Sequence, residues 1–260
     1  MVINSRQERE LHKDFIHAAT VSILTATINE SGNIRVWLEE ILSTYHKFHL
    51  DMIKEIIIVD DGSTDGTIEQ IEEIKGFYPI PIRLVRRSRR MGTLNAQITG
   101  ARLAFTDYVL VMDCDMQHPP SFITEFIVQI NYDQDIVVGS RYLRGGLNKW
   151  PAYRGFVSRI ATALAHIMIK NSRELKDPLS GYFIVRREIL SRLIPYKMMY
   201  KPLLYVVSMN KDTRLREIPI RMDSREKGES KIVTSPVIVI IRYIKEILIF
   251  FRDSYKNQNV

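Results

Sequence analysis

The sequence predicts an α/β fold, a doubly wound and mostly parallel sheet, and three observations predict it. Between residues 21 and 140, five short apolar runs alternate with segments of helical period, the rhythm of strand, helix and parallel strand. Three of those runs end on acidic residues, at the strand ends where open α/β sheets bind ligands. No internal repeat or low-complexity segment interrupts the pattern.

Taken in order, "VSILTA" (21–26) reads as the first strand. "GNIRVWLEEILSTYHKF" (32–48) places Ile34, Trp37, Leu38, Ile41, Leu42 and Tyr45 at helical spacing. "EIIIVD" (55–60) is a buried strand, and "STDGTIEQIEEIK" (63–75) a helix with Ser63 and Asp65 as capping candidates. "IRLVRR" (82–87) is a third strand, "GTLNAQITGARLAF" (92–105) a helix and "DYVLVMD" (107–113) a fourth strand. A helix begins at Pro119, and "DIVVGS" (135–140) is the fifth strand. Beyond residue 145 the rhythm changes. A long helix is expected over 151–170, strands in "SGYFIVRR" and "TRLREIPIRM", a mobile loop at 223–235 and a last helix over 236–252.

Composition narrows the class. The 260 residues suffice for one sizeable core, and 45% hydrophobic with 26% charged content is ordinary for a soluble globular chain. A lone cysteine, Cys114, excludes an intramolecular disulfide and makes a reducing compartment the default. The N-terminus has no apolar core of a signal peptide, and no apolar run reaches the ~18–20 residues that span a bilayer. Net charge is +7. After "RLVRRSRR" (83–90), the basic residues cluster among aromatic and aliphatic ones, at 195–205 and 240–252. That mixture suits a membrane interface better than a nucleic-acid groove. In the last helix Arg242, Lys245 and Glu246 share one side, so the helix is expected to lie in a lipid or partner interface, or to dock on its own domain.

The acidic strand ends are Asn29–Glu30, Asp60–Asp61 and Asp113–Asp115. Carboxylates crowded on one rim repel each other unless a cation or hydrogen-bond donors intervene. There is no GxxxxGK[ST] loop, no GxGxxG fingerprint and no zinc-spaced Cys/His cluster, so His118 and His166 read as core or surface residues. Asp113, Asp115 and the Gln117 amide are hard oxygen ligands fit for Mg²⁺ or Mn²⁺, which keep water and take phosphate oxygens as further ligands.

"INE" (28–30), "IIIVDDGSTDGT" (56–67), "VMDCDMQHPP" (111–120), "GSRYLRGG" (139–146), "DPLSGYF" (177–183) and "REKGESK" (225–231) occur in the order and spacing of the family 2 glycosyltransferases. From Val21 to Lys231 the chain most resembles the dolichyl-phosphate mannosyltransferases. The resemblance implies a nucleotide-diphospho-sugar transferase (GT-A-like) fold. It implies an N-terminal extension over 1–20, a catalytic domain over 21–235 and an amphipathic interfacial or partner-binding helix and tail over 236–260. It further implies that Glu30, Asp60 and Asp61 bind the donor nucleoside, and that Asp113, Asp115 and Gln117 hold the metal and donor diphosphate. Arg141, Arg154 and Ser158 would grip the acceptor phosphate, while Arg225 and Lys231 close over both substrates.

One departure stands out. The family pattern Pro-x-Tyr-Asn-Glu is "ATINE" here: Ala26 replaces the proline, and Ile28, an apolar wall, replaces the aromatic residue beside the base. The implied reaction is inverting transfer of mannose from GDP-mannose to a polyprenyl or dolichyl monophosphate, giving a β-linked lipid-phosphate sugar. The setting would be the cytoplasmic face of a membrane, reached peripherally or through a small anchoring subunit. Since that acceptor is already an anion, Asp177, near where relatives keep a base, is expected to position the acceptor or a basic side chain. UDP-glucose as donor and a glycan hydroxyl as acceptor are the alternatives. No Q-x-x-R-W segment points to a processive synthase, and an aspartyl nucleophile at "DCD" would belong after a first strand.

Overall fold

The structure, a computed structural model, describes residues 19–148, 152–195, 201–210, 212–222 and 236–256. Its strands are β1 (Val21–Thr27), β2 (Ile53–Asp60), β3 (Ile82–Arg86), β4 (Tyr108–Val111), β5 (Ile136–Ser140), β6 (Leu147–Asn148), β7 (Phe183–Arg186), β8 (Leu215–Pro219) and β9 (Arg221–Met222). Its helices are α1 (Ile34–Phe48), α2 (Thr67–Ile74), α3 (Thr93–Leu103), α4 (Ile123–Ile130), α5 (Ala152–Met168), α6 (Arg187–Ser191), α7 (Pro202–Met209) and α8 (Pro236–Lys256).

Seven strands form one sheet in the order β3-β2-β1-β4-β7-β5-β8. The strands are nearly continuous apolar runs because helices cover both faces. Leu24, Ile57, Val59 and Val109 point to one face, under α3, α5, α7 and α8. Ile23, Ile56, Ile58 and Leu110 point to the other, under α1, α2 and α4, where Trp37 and Phe126 are fully buried. At Gly100 helix α3 lies so close to β1 that a Cβ would sit 2.2 Å from Leu24 Cδ1.

The sheet is mostly parallel, as expected; within it β7 runs antiparallel to both β4 and β5, pairing Phe183 with Val111 and with Val138. One expectation is corrected. Helix α2 starts at Thr67, with Gly66 at its N-cap, because Ser63 and Asp65 are spent on the preceding turn.

The reversed strand is anchored at the end of the sheet away from the rim. Asp135 Oδ1 accepts Arg186 Nε at 2.7 Å and Arg214 Nη2 at 3.1 Å, and Asp135 Oδ2 accepts the Arg214 backbone N–H at 2.8 Å. Asp133 pairs with both arginines. One carboxylate thus joins β5, β7 and β8.

Helix α8 docks on α5 and α7 through Glu246, Ile247 and Phe250, the last tilted against Tyr205 at 5.0 Å. Its charges do not share one solvent face: Glu246 is 5% exposed while Lys245 is exposed, and the Arg242 side chain lies outside the described residues. No helix among the described residues is long and apolar enough to cross a membrane. The predicted loop at 223–235, and Tyr196 to Tyr200, lie outside the described residues.

Candidate active site

The order β2-β1-β4 makes the three acidic strand ends neighbours on one rim, at the point where the chain switches from one side of β1 to the other. Strand β7 adds a fourth segment. Because it runs away from the rim, the residues before it, Asp177 to Tyr182, lie there too.

On the β1–β2 side the carboxylates build the loops. Asp60 is fully buried; its Oδ1 accepts the N–H groups of Gly62 at 3.0 Å and Ser63 at 2.8 Å, and the Ser63 hydroxyl donates to Oδ2. Asp61 accepts the N–H groups of Met91 and Gly92 at 2.9 and 2.8 Å, with Arg87 Nη1 at 3.5 Å, and so fixes the entry to α3. The Asp61 side chain reaches across to the 87–92 segment, while its backbone N–H donates to the Thr27 carbonyl at 2.8 Å. Glu30 is half-buried and accepts Asn33 Nδ2 at 2.7 Å. Asn29, at φ 52°, donates its N–H to Ser63 Oγ and accepts the Thr64 N–H on Oδ1, each at 2.8 Å. Asp65 receives the Thr67 hydroxyl and the N–H groups of Ser31 and Thr67; burial pushes its pKa up, but these donors outweigh it and hold it at about 2. Ala26 and Ile28 are half-buried at the end of β1.

Strand β4 stops at Val111, two residues earlier than expected, and the acidic pair sits on the loop that follows. Asp113 has a side chain 46% exposed, whereas Asp115 is 4% exposed and accepts the Gln117 N–H on Oδ1 at 3.1 Å. Met116, at φ 65°, turns the chain so that Gln117 follows on the same loop. Cys114 points inward, 3.6 Å from Thr27 Oγ1, and burial pushes its thiol up to about 12, far from a nucleophile's range. The donor set of Asp113, Asp115 and Gln117 is all oxygen and fits a hard divalent cation. Among the described residues no three His, Cys, Asp or Glu side chains gather as an all-protein metal site. A cation here would therefore draw other ligands from water or a bound diphosphate.

The basic side is dominated by a buried ion pair. Arg141 Nε and Nη2 donate to Asp177 Oδ2 and Oδ1 at 2.7 and 2.6 Å, and the Arg141 N–H adds a third bond at 3.1 Å. The side chains are 3% and 0% exposed. Burial alone would lower the arginine pKa; the carboxylate beside it leaves it raised. Glu217 holds the approach, accepting the N–H groups of Lys176 and Asp177 at 2.9 Å each. Ser158, on α5, accepts the Tyr142 hydroxyl at 2.9 Å. Next to it an open cavity of about 420 Å³ is lined by Tyr142, Arg159, Thr162, His166 and Lys176. Arg154 lies in the first turn of α5, but its side chain, like the whole of Arg225 and Lys231, lies outside the described residues.

Several contributors were not singled out from the sequence. Gly181 touches the acidic pair: a Cβ there would lie 3.4 Å from Asp113 Oδ2 and 3.1 Å from His118 Cε1. His118, which the sequence reading placed in the core or on the surface, is 1% exposed beneath Asp113. Lys201 joins α8 to the 177–183 segment, its Nζ on the Leu179 carbonyl at 3.2 Å and its N–H on Glu246 at 3.1 Å. These placements depend on contacts between residues far apart in sequence.

Comparison with known proteins agrees with this geometry. The family described as "Glycosyl transferase family 2" matches residues 22–194. A dolichol-phosphate mannosyltransferase of Pyrococcus furiosus is 34% identical over 229 residues, which are 88% of this chain and 63% of that protein. The protein of the same name from Saccharomyces cerevisiae is 29% identical over 75% of each chain. Glucosyl-3-phosphoglycerate synthase of Mycobacterium tuberculosis, solved with Mn²⁺, UDP and glucosyl-3-phosphoglycerate, shares the fold with a TM-score of 0.66. Its identity is 19%, over 98% of this chain and 85% of that one. A further structure of that synthase holds Mg²⁺ and UDP, at a TM-score of 0.64. With the family's match running through every strand from β1 to β7, and the acidic and basic segments on one rim, this chain belongs to glycosyl transferase family 2.

Proposed function

We propose that this chain is a metal-dependent, inverting glycosyltransferase that moves mannose from GDP-mannose to a dolichyl or polyprenyl monophosphate at a membrane surface. The observation that carries the choice of acceptor is the Arg141–Asp177 pair. A sugar hydroxyl acceptor needs a carboxylate to take its proton. Asp177, in the position where such a base would stand, is fully buried and accepts three N–H bonds from Arg141. It is a countercharge and not a free base. A phosphomonoester attacks as the anion it already is, and needs alignment and charge stabilisation. The curated relatives bearing the mannosyltransferase name support the same acceptor class.

Each group then has a task. Asp113, Asp115 and Gln117 hold the divalent cation, which when bound neutralises charge on the leaving nucleoside diphosphate. Asp60, Asp61, Glu30, Ala26 and Ile28 shape the nucleoside wall. Arg141, Arg154 and Ser158 orient the acceptor phosphate, and Arg225 and Lys231 add positive charge over both substrates. Attack opposite the leaving group inverts the anomeric carbon, so an α-linked donor yields a β-linked product. Residues 236–260 supply the membrane side: Ile241, Ile244, Leu248 and Phe251, exposed at spacings of three, four and three, form one apolar stripe on α8. That face suits lipid or a small anchoring subunit.

The test is transfer of labelled sugar from GDP-mannose or UDP-glucose, with Mg²⁺ or Mn²⁺, to polyprenyl phosphate, read as label in the organic phase. Mannose transfer is expected, and Asp115→Ala should lower it by about 10²–10³-fold, equivalent to ~3–4 kcal/mol of transition-state stabilisation. Label released only to water, or near-normal turnover by Asp115→Ala, would sink the reading.

A further inference from the structure

We infer that His118 is a positioning residue for the metal-holding loop, acting through Asp113; this rests on the reading of Asp113, Asp115 and Gln117 as ligands of a divalent cation. His118 Nδ1 lies 2.9 Å from the Asp113 backbone nitrogen. A backbone N–H can only donate, so Nδ1 accepts, and the ring proton is on Nε2. The contact at 3.8 Å between Nδ1 and Asp113 Oδ2 is therefore proximity and not an ion pair.

The ring is held from every side. It stacks on Tyr182 with centroids 5.0 Å apart and planes 21° apart, and Tyr182 is backed by Phe126 at 4.6 Å. The Tyr182 hydroxyl donates to the Pro119 carbonyl at 3.2 Å, which ties the aromatic support to the residue after His118. Gly181 closes the remaining side, since a Cβ there would stand 3.1 Å from His118 Cε1 and 3.4 Å from Asp113 Oδ2. The loop is thus pinned at two points. His118 Nδ1 grips the N–H of Asp113, and Asp115 Oδ1 grips the N–H of Gln117 across the left-handed turn at Met116. The spacing of the three oxygen donors follows from those two bonds. Two residues at 181 and 182, far along the chain, lock the ring that makes the first of them.

The experiment uses the full chain and reads Mn²⁺ binding directly, as loss of the free-ion electron paramagnetic resonance signal, in the presence of GDP. Asp113→Ala is the reference. His118→Ala and His118→Gln should weaken Mn²⁺ by about 10–100-fold, the range for groups that orient metal ligands. His118→Asn should recover most of the affinity, because its Oδ1 falls where Nδ1 sits, whereas the Gln amide falls nearer Nε2. Asn and Gln both lose the stacked ring, so their difference isolates the hydrogen bond even if the Ala variant folds poorly; melting curves verify that the two are equally folded. Equal Mn²⁺ affinity for the Gln variant and the wild type, or Asn no better than Gln, overturns the inference while the metal site stands. A wild type that binds no Mn²⁺, with Asp113→Ala indistinguishable from it, overturns the metal reading and this inference together.

Discussion

Asp177→Asn isolates the buried charge at the centre of the proposed acceptor side. The substitution keeps the side chain's size and one acceptor oxygen but removes the negative charge facing Arg141. That guanidinium has a side chain only 3% exposed, so it cannot turn to water without opening the segment around it. Breaking one partner of such a pair costs about 3–5 kcal/mol, because the remaining charge is left buried and uncompensated. Against a total stability of about 5–15 kcal/mol this is a large fraction. At roughly 2–4 °C per kcal/mol for a domain near this size, the melting temperature should fall by about 6–20 °C. Far-UV circular dichroism melts and urea midpoints measure it. The companion Arg141→Met/Asp177→Leu removes both charges and should regain most of the lost stability, since apolar replacements roughly match a buried pair. It should not regain sugar transfer, because the acceptor side has lost its arginine. A loss below about 1 kcal/mol for Asp177→Asn would refute the role of Asp177 as a buried countercharge. Full transfer activity in the double variant would remove Arg141 from the acceptor machinery.

Acid stability tests the far end of the sheet. Burial pushes the Asp135 pKa up, but donors from Arg214 and Arg186 outweigh it and hold it at about 2. A depressed carboxylate stabilises fully above its unfolded value near 3.8, and that stabilisation disappears as pH falls toward 2. Asp135→Asn should therefore lose on the order of 2 kcal/mol at neutral pH and show a flatter urea midpoint between pH 5 and pH 2 than the parent; equal slopes would contradict it. For the proposed membrane face, changing Ile241, Ile244, Leu248 and Phe251 together to Ser should reduce co-sedimentation with anionic liposomes, each lost side chain removing ~1 kcal/mol of apolar burial. The melting temperature should change little, since all four are 37–48% exposed. Unchanged sedimentation would move the partner of this face from lipid to protein.

Much of the fold was legible because strands covered on both faces must be continuously apolar, and few other patterns produce that. The runs at 21–26, 55–60, 82–87 and 135–140 match β1, β2, β3 and β5 within about two residues at either end. The start of α2 was misplaced because Ser63 accepts the Asn29 N–H and Asp65 the Ser31 N–H, loop donors that these side chains satisfy as readily as helix ones. In α8 the three charges share a side on a helical projection, but Glu246 is drawn inward by the Lys201 N–H, 45 residues away in sequence.

For the site, the sequence alone determined which chemistry was possible: carboxylates at the ends of β1, β2 and the run before Asp113, oxygen donors at 113, 115 and 117, and basic segments after the fifth strand. Local pattern suffices there, because a parallel strand always delivers the residues that follow it to the rim. Only the tertiary structure decided that β7 is reversed, and with it that the residues preceding a strand reach the rim. That reversal seats Asp177 against Arg141 and Gly181 against Asp113 and His118. Strand direction depends on how the helices before it pack, and buried charges choose partners by distance in space, so neither is written in the spacing of residues along the chain.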